Sequence, residues 1–441
     1  MACFKDGQTI AIGGQAGAYM PWDLLDMLEE SGVKHLTICS IDACNPGFAI
    51  SRLIENGQVD KMITTHIGTN PVAQKLLAEG KLEVEFFPMG SFIEKMRDGG
   101  AGIGGFLTKT GLGTDMEKGK QIVTTSDGER YILEEAIHAD VALTRCRRAD
   151  PLGNLAYHGT GTASHPVMAT CADISIVQCD LYCDLNEISP DDVKVPAMYV
   201  DMLYTDSVNR TILLVESREI SWRVCKMDNR RFIARRAAQY FNEGDTVNLG
   251  IGIPSACSDY VDPTIAFQTE NGMIGVGPVA KKLAICDTYQ NAGGINFVPV
   301  MGASAFDTAY SFAVIRSGRM AATVLGALQV AENGDIANWA SPGRAFGMGG
   351  AMDLCNGARK VIVAMELTTK KGEPKILKKC TYPLTAQGCV NHIVTEQCVI
   401  DVTPEGLKLV EIRAGKTPED IQAQVEPTLI IADDLKIMDE E

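Results

Sequence analysis

The chain has 441 residues, of which 46% are hydrophobic and 22% are charged, and its formal net charge is −16. These values are typical of a soluble globular protein large enough for two domains. The acidic balance argues against a nucleic-acid partner. No apolar run reaches the roughly 18–20 residues of a membrane helix, so we expect no membrane partner.

The predicted elements alternate between short apolar strands and amphipathic helices along the chain. In the first half, strands are predicted at 9–13, 35–39, 61–65, 82–87, 140–145 and 173–178, and helices at 21–31, 48–55, 70–79 and 91–98. In the second half, helices are predicted at 230–242, 305–317 and 417–424, and strands at 245–249, 264–268, 320–326, 359–365, 394–401 and 407–412. This alternation predicts an α/β fold with two similar open domains and mainly parallel sheets.

An internal repeat supports two domains of one plan. Residues 6–13 (DGQTIAIG) and 243–250 (EGDTVNLG) share an acidic-Gly turn, a short apolar strand and a glycine. A second matched pair, at 153–157 and 334–339, follows an apolar run in each half. We therefore predict domains at 1–215 and 216–441, with the boundary in the region near 205–228.

The 14 cysteines are scattered and include no CxxC pair. The closest pairs, Cys39/Cys44 and Cys179/Cys183, do not have a zinc-ligand spacing. This pattern is typical of reduced, buried thiols in a cytosolic protein. The first residues, MACFKDG, carry no secretory signal pattern. The sequence therefore predicts a cytoplasmic protein without a metal site.

Glycine-rich loops are predicted to follow strands, at 13–17, 99–105, 250–252 and 347–350. Glycine permits close backbone approach to a ligand, and ligands of open α/β sheets bind at the carboxyl ends of the strands. For any single loop a tight structural turn is an equally good explanation. No Walker A or dinucleotide fingerprint is present. Only the four glycine-rich loops taken together predict a ligand-binding site at the carboxyl ends of the strands.

The segment 265–278 (IAFQTENGMIGVGP) runs from an apolar strand directly into a carboxylate, Glu270. A lone Glu at a strand end is usually a solvated rim residue. Here Asn271 and Gly272 follow at once, with further glycines behind them, which predicts a sharp turn that presents the carboxylate.

Residues 269–278 resemble the Glu-Asn-Gly-x-x-Gly-x-Gly-Pro signature of family I CoA-transferases. Other segments resemble the two subunits of that family in order along the chain: HIGTN (66–70), TGLGT (110–114), NLGIGIP (248–254), LGALQV (325–330), DIANW (335–339) and GMGGAMD (347–353). The resemblance implies an enzyme of the acetate/acetoacetate or succinyl-CoA:3-oxoacid type. In it, an alpha-type first half is fused to a beta-type second half that carries the nucleophile.

The resemblance also implies a reaction. CoA would pass from an acyl-CoA donor to a short-chain carboxylate such as acetate, butyrate or acetoacetate, by a ping-pong mechanism through a glutamyl-CoA thioester on Glu270. The backbone N–H of Gly350 is the implied oxyanion donor. Contacts with substrate or CoA are predicted for Gly349, Asn271, Gly272, Gly252, Met89, Gly102 and Gly104. Coenzyme A is then a substrate, no cofactor is bound permanently, and we expect a homodimer or homotetramer.

Some substrate-side positions depart from the family pattern. Met89 stands where relatives carry Gln, which removes one polar contact and suggests a more apolar acyl group. Residues 158–166 (HGTGTASHP) replace a segment that typically contains Arg-Asn-Phe-Asn. Two other functions stay open: an acyl-CoA thioester hydrolase, and a non-catalytic ligand-binding module on the same fold. His66, His158 and His165 lack a metal-ligand spacing and are interpreted as surface or packing residues.

Overall fold

The structure is a computed structural model that describes residues 3–185, 187–205, 228–262, 264–279 and 289–438. Two open sheets, one in each half of the chain, form its frame. The predicted domain boundary falls on 206–227, outside the described residues. The limits 1–215 and 216–441 therefore stay predictions.

The first half carries a parallel sheet covered by helices. Its helices are α1 (Trp22–Ser31), α2 (Ile50–Glu55), α3 (Pro71–Ala78), α4 (Met89–Ala101) and α5 (His165–Met168). Its strands are β1 (Thr9–Ile12), β2 (Leu36–Asp42), β3 (Val59–His66), β4 (Glu83–Phe86), β5 (Gly105–Thr108), β6 (Ile122–Thr124), β7 (Arg130–Glu135), β8 (Ala139–Ala149), β9 (Leu155–Ala156), β10 (Ala172–Tyr182) and β11 (Met202–Thr205). The main sheet has the order β11-β10-β8-β1-β2-β3-β4 with parallel neighbours. Strands β5, β7 and β6 form a separate antiparallel sheet.

The second half carries a mixed sheet. Its helices are α6 (Asn229–Ala238), α7 (Thr308–Arg316), α8 (Ala351–Gly357) and α9 (Pro418–Gln422). Its strands are β12 (Thr246–Leu249), β13 (Ala266–Thr269), β14 (Met273–Val279), β15 (Phe297–Ala305), β16 (Ala322–Leu325), β17 (Gln329–Ala331), β18 (Ile336–Ala337), β19 (Ala340–Ser341), β20 (Arg344–Ala345), β21 (Val361–Ala364), β22 (Ile376–Leu377), β23 (His392–Val394), β24 (Cys398–Thr403), β25 (Gly406–Ile412) and β26 (Ile430–Ile437).

The main sheet of the second half has the order β15-β14-β13-β12-β16-β21-β23-β24-β25-β26. Its centre, from β13 to β23, is parallel. Strands β14 and β15 add an antiparallel hairpin at one side, and β23, β24 and β25 are antiparallel at the other. The predicted α/β class with large parallel sheets is confirmed.

The internal repeat corresponds to a shared backbone pattern. In each half the repeat strand, β1 or β12, lies between the next strand and a later one, β8 or β16. The glycine after the strand then makes the same hydrogen bond. Gly13 N donates to Leu143 O at 3.0 Å, and Gly250 N donates to Val324 O at 2.9 Å. The two halves thus present equivalent sheet edges.

A hydrophobic cluster joins the two halves. It includes Met89 and Phe92 of α4, Phe312 and Ile315 of α7, and Leu354 of α8, all of them buried. Helix α4 belongs to the first half, whereas α7 and α8 belong to the second. Burial of this shared apolar surface holds the two halves together.

One predicted strand was wrong in its extent. Residues 394–401 were expected to form one strand, but β23 ends at Val394 and β24 begins at Cys398. The turn between them depends on Thr395. Its hydroxyl accepts from Cys398 N and donates to Cys398 O, both at 2.9 Å. This local side-chain bond reverses the chain inside an apolar run, where periodicity gives no sign of a turn.

The described helices are all too short or too polar to cross a membrane. The cysteines in the described ranges are unpaired, and most of them are buried.

Candidate active site

Glu270 follows the last residue of β13 and lies in the turn that leads to β14. The turn is closed by Gly272 N, which donates to Thr269 O at 3.0 Å. Gly272 has φ +139°, and a Cβ built on it would lie 2.1 Å from Phe306 O. Only glycine fits this backbone and this close approach. The predicted sharp turn is therefore present, and it leaves the Glu270 side chain partly buried.

A chain of buried amides holds the Glu270 carboxylate. Asn248 Nδ2 donates to Glu270 Oε2 at 3.2 Å and to Gln268 Oε1 at 2.7 Å. Gln268 Nε2 donates in turn to Ser311 Oγ on α7 at 2.7 Å. Asn248, Gln268 and Ser311 are almost fully buried. Glu270 is thereby fixed relative to both the sheet and helix α7.

The protein environment of Glu270 weakens its charged form. Burial raises the pKa of this carboxyl, and hydrogen bonds from its own backbone N–H and from Asn248 act against the shift. A carboxylate with little water around it and few donors is a stronger nucleophile than one in bulk solvent.

Gly350 lies directly against Glu270. A Cβ built on Gly350 would be 3.1 Å from Glu270 Cγ and 3.2 Å from Phe312 Cζ. Gly350 is the residue before α8, where backbone N–H groups lack intrahelical acceptors. Within the described ranges, its N–H donates no hydrogen bond. A carboxylate and a free N–H donor are thus adjacent in a confined space.

The first half of the chain closes this space. Met89 N donates to Gly349 O at 2.8 Å, and Gly349 N donates to Thr65 O at 3.2 Å. Gly347 has φ +97°, and a Cβ there would be 2.3 Å from Thr65 O. Glycine at 347 therefore permits the two halves to approach at backbone distance. The structure brings together Glu270, Gly349, Gly350 and Met89 at the junction of the halves.

Asn271 and Gly272 take part in the turn itself. Asn271 Oδ1 accepts from Thr269 Oγ1 at 2.7 Å, and its Nδ2 donates to Gln290 O at 2.9 Å. Thr308 Oγ1 donates to Asn271 O at 2.7 Å. The Asn271 amide thus ties the turn to Gln290, and its contact with substrate stays a prediction.

Gly252 lies in an exposed loop beyond β12, with φ +94°. Asn248 of β12 pairs with Gln268 of β13 in parallel, so both strands end at the same sheet edge. Gly252 is therefore on the side of the molecule that carries Glu270, and it is exposed to solvent. Its contact with CoA stays a prediction.

The glycines at 99–105 do not follow a strand, so that part of the loop interpretation was wrong. Gly99 lies inside α4, where a Cβ would be 1.9 Å from Ile137 O. Its role is helix packing. Gly102 is the left-handed residue that ends α4, and Gly104 is exposed beyond it. The length of α4, about 20 Å at 1.5 Å per residue, separates them from Met89 at its other end.

The histidines show no shared site. His165 is buried, Arg145 N donates to its Nδ1 at 3.0 Å, and its Nε2 lies 2.9 Å from Tyr19 O. Burial lowers the pKa of His165 to about 3, so the ring is neutral and serves packing. No group of three or more potential metal-ligating side chains occurs within the described residues.

Sequence reasoning missed three supporting residues: Asn248, Gln268 and Asp353. The first two are amides inside short apolar strands that pair in register. A buried amide in such a strand needs a partner, and two amides on neighbouring strands are a detectable signal. Asp353 lies in the helix that follows Gly350 and is completely buried.

Comparison with known proteins agrees with this geometry. The sequence model of the coenzyme A transferase family matches residues 1–206 and 231–423. The chain is 37% identical over 460 residues to mouse (Mus musculus) succinyl-CoA:3-ketoacid coenzyme A transferase 2A, mitochondrial, covering 98% of this chain and 88% of the relative. Escherichia coli K12 acetate CoA-transferase is 43% identical over 198 residues in subunit alpha, covering 45% of this chain and 90% of the subunit. Its subunit beta is 46% identical over 212 residues, covering 47% of this chain and 97% of the subunit.

A solved structure shows the same fold. The acyl-CoA transferase YdiF from Escherichia coli O157:H7 superposes with a TM-score of 0.82 at 21% identity, covering 99% of this chain and 93% of that chain.

The cytoplasmic location predicted from the sequence is contradicted by these comparisons. The mouse relative that matches nearly the whole chain is a mitochondrial enzyme. The prediction rested on free thiols and on the absence of a signal pattern. Free thiols indicate a reducing environment rather than one particular compartment.

The family match and the relatives lead to one assignment. The mouse relative matches along the full chain, whereas each Escherichia coli subunit matches about half of it. This confirms the predicted fusion of alpha-type and beta-type parts in one polypeptide. The chain belongs to the coenzyme A transferase family, and it is an enzyme that transfers coenzyme A.

Proposed function

We propose that this enzyme moves CoA from an acyl-CoA donor to a short-chain carboxylate by a ping-pong mechanism through a glutamyl-CoA thioester on Glu270. The observation that carries the proposal is the contact between Glu270 and Gly350. The glycine N–H there has no acceptor among the described residues. A nucleophile and an oxyanion donor are what acyl transfer requires.

The first half-reaction begins with the Glu270 carboxylate. One of its oxygens attacks the thioester carbonyl carbon, and the carbonyl oxygen becomes an oxyanion that accepts a hydrogen bond from Gly350 N–H. One such donor contributes about 3–4 kcal/mol to transition-state stabilisation in other acyl-transfer enzymes. When the C–S bond breaks, CoA leaves as a thiolate and an acyl-glutamyl anhydride remains.

The thiolate then attacks the glutamyl carbonyl carbon of the anhydride. The donor acid leaves as its carboxylate, and the enzyme keeps CoA as a thioester of Glu270. The acceptor carboxylate reverses both steps, forming its own acyl-CoA and restoring the Glu270 carboxylate. Each step exchanges one acyl bond for another, so the cycle uses no metal and no permanently bound cofactor, with coenzyme A as a substrate.

The names of the matched relatives support short acids as substrates. They include succinyl-CoA:3-ketoacid and acetate CoA-transferases. We infer acetate, butyrate and acetoacetate as the first acceptors to test. We also propose contacts of Gly349, Gly252, Asn271 and Met89 with substrate or CoA. A homodimer or homotetramer is proposed for the assembly, and light scattering that gives the mass of one chain would contradict it.

Intact-mass spectrometry tests the covalent step. After addition of acyl-CoA, the native enzyme should gain the mass of CoA less one water, and hydroxylamine should remove it. Glu270→Ala should gain nothing. Glu332→Ala, a change at an exposed glutamate of the same half, is the matched control and should behave as the native enzyme.

The outcomes separate the three candidate functions. A CoA adduct that turns over only when an acceptor acid is present supports transfer. An enzyme that releases free CoA at the same rate with and without an acceptor is a hydrolase. If the native enzyme binds acyl-CoA but forms no adduct and no free CoA, the ligand-binding alternative is correct.

A further inference from the structure

Asp353 is a buried carboxylate that the proposed chemistry does not use. It lies in the first turn of α8, three residues after Gly350, and its exposed fraction is 0%. Burying a charged carboxylate lowers the stability of a fold unless partners compensate for the lost hydration. Partners must therefore stabilise the Asp353 carboxylate in its buried position.

These partners come from both halves of the chain. Gly90 N donates to Asp353 Oδ2 at 3.0 Å, and Thr110 Oγ1 donates to Asp353 Oδ1 at 3.1 Å. Gly90 and Thr110 belong to the first half. Arg316 of α7, in the second half, places Nη1 3.5 Å from Oδ1. Asp353 thus links the first turn of α4 to the first turn of α8.

Gly90 permits this link by having no side chain. A Cβ built on it would lie 2.5 Å from Asp353 Oδ1 and 2.7 Å from Phe312 Cδ1. The residue before it, Met89, donates its N–H to Gly349 O at 2.8 Å. The N–H groups of Met89 and Gly90 lie at the start of α4 and therefore have no intrahelical acceptor. Both donate instead to the segment 349–353.

The bond from Met89 has a consequence for Gly350. The carbonyl of Gly349 and the N–H of Gly350 belong to one planar trans peptide, in which they point in opposite directions. A donor that fixes the Gly349 carbonyl toward α4 therefore fixes the Gly350 N–H away from it. The first half of the chain sets the direction of a donor that belongs to the second half.

We propose that Asp353 is a positioning residue for the transfer reaction. By holding Gly90 N–H it fixes the first turn of α4, so that Met89 N–H keeps the Gly349 carbonyl in place and the Gly350 N–H aimed at the oxyanion. The inference rests on the proposed function, because it assigns the orientation of the donor used there. Asp353 itself touches neither substrate nor the reacting atoms.

The environment of Asp353 disfavours its charged form. Burial raises the pKa of Asp353 above its usual range, against the opposing effects of Arg316, Gly90 N–H and the Thr110 hydroxyl. The carboxylate is thus held in an environment that disfavours it. Removing one partner of a buried ion pair usually lowers stability, so the folding of each Asp353 variant is measured together with its activity.

Two substitutions at Asp353 test the proposal. Asp353→Leu removes the acceptor of Gly90 N–H, whereas Asp353→Asn keeps one oxygen that can accept it. Complete removal of an oxyanion donor costs about 10²–10³-fold in kcat. Because Asp353→Leu only misorients the donor, we expect kcat to fall about tenfold to 100-fold with little change in KM. Asp353→Asn should keep most of the activity. Asp150→Leu is the matched control.

Asp150 is also buried and also accepts backbone N–H groups, from residues 152–154, so its loss should lower thermal stability without lowering kcat. A folded Asp353→Leu enzyme with native kcat, or one in which KM rises and kcat does not fall, would overturn the proposal. Equal losses in Asp353→Leu and Asp353→Asn would also overturn it, because charge rather than acceptance of the Gly90 N–H would then matter.

A second pair of variants decides the matter if Asp353→Leu does not fold. Met89 is the first residue of α4, a position where proline is tolerated. Met89→Pro deletes the N–H that binds Gly349 O, and Met89→Ala deletes only the side chain. We expect kcat of Met89→Pro to be about tenfold below that of Met89→Ala. Equal kcat values, in enzymes that still form the CoA adduct on Glu270, would refute the positioning role and leave the proposed function intact. If the native enzyme itself forms no CoA adduct, both the positioning role and the proposed function are refuted.

Discussion

Replacement of Asn248 should change the pH dependence of the reaction. Among the described side chains, only the Asn248 amide donates a hydrogen bond to the Glu270 carboxylate, at 3.2 Å. This bond favours the charged form of Glu270 and opposes the effect of burial, which raises the pKa. In Asn248→Ala the opposition is lost, so the pKa of Glu270 should rise further. The carboxylate is the nucleophile, and the acid limb of the rate profile should therefore move to higher pH.

The size of the shift follows from the geometry of the bond. Hydrogen bonds to charged groups contribute about 1.5–3 kcal/mol. This one is longer than the usual 2.7–2.9 Å of charge-assisted bonds, and Asn248 Nδ2 also serves Gln268 Oε1 at 2.7 Å. About 1 kcal/mol is a reasonable value. Since one pKa unit corresponds to 1.36 kcal/mol, the acid limb should move up by about 0.7 pH units.

The assay is kcat/KM for acyl-CoA between about pH 5 and pH 9, which reports on groups of the free enzyme. Thr323→Val is the matched control. Thr323 pairs with Asn248 across the sheet and is equally buried, and its side chain makes no bond to Glu270. Its acid limb should stay in place. A folded Asn248→Ala enzyme whose acid limb is unmoved, or lies at lower pH, would show that Asn248 does not tune the nucleophile.

Three further variants test other parts of the structure. Burial makes the ionised Glu270 less stable in the fold, so Glu270→Gln should raise the melting temperature at pH 8. The higher melting temperature of Glu270→Gln should disappear as the pH falls below the unfolded carboxyl pKa of about 4.3, because the native glutamate is then neutral in the folded and the unfolded state. An equal difference in melting temperature at pH 8 and at this low pH would contradict the expectation. Gly90→Ala should lower stability by about 1–3 kcal/mol, because its methyl group would collide with Asp353 and Phe312, although Ala normally stabilises a helix; calorimetry that shows a more stable variant would contradict the packing. The pKa of His165 is lowered to about 3 by burial, so between pH 7 and pH 5 the unfolded state gains a proton that the folded state does not. This should remove about 2 kcal/mol of stability, and His165→Gln, measured by urea unfolding at both pH values, should lack that loss.

Much of the fold was predictable because its signals are local or repeated. Short apolar strands separated by amphipathic helices predicted the parallel centre of each sheet. The repeat of 6–13 and 243–250 predicted two related halves, which the matched hydrogen bonds of Gly13 and Gly250 confirm. Glu270 was identified because a strand, a carboxylate and a glycine turn are contiguous in sequence. These features need no knowledge of distant contacts.

Other features depend on contacts between distant residues, and periodicity does not report them. The turn at Thr395 was missed because one hydroxyl reverses the chain within an apolar run. Gly99 was interpreted as part of a ligand loop, whereas its absent side chain allows α4 to approach Ile137. In the sequence, Asp353 is only the last residue of the segment GMGGAMD, and its partners Gly90 and Thr110 lie more than 200 positions away.

The junction of the halves is held in part by backbone hydrogen bonds. Met89 contacts the segment 347–350 through its backbone N–H, and Thr65 contacts the same segment through its carbonyl. Such bonds do not depend on side-chain identity, although the Met89 side chain itself is buried in the hydrophobic cluster that joins the halves. Proline is the exception at this position, because it lacks the N–H. The contact of the Met89 side chain with substrate is part of the proposed function, and it is separate from the backbone bond that holds the Gly349 carbonyl. Side-chain changes there should alter the relative rates for different acids, whereas loss of the backbone N–H should slow the reaction with all of them.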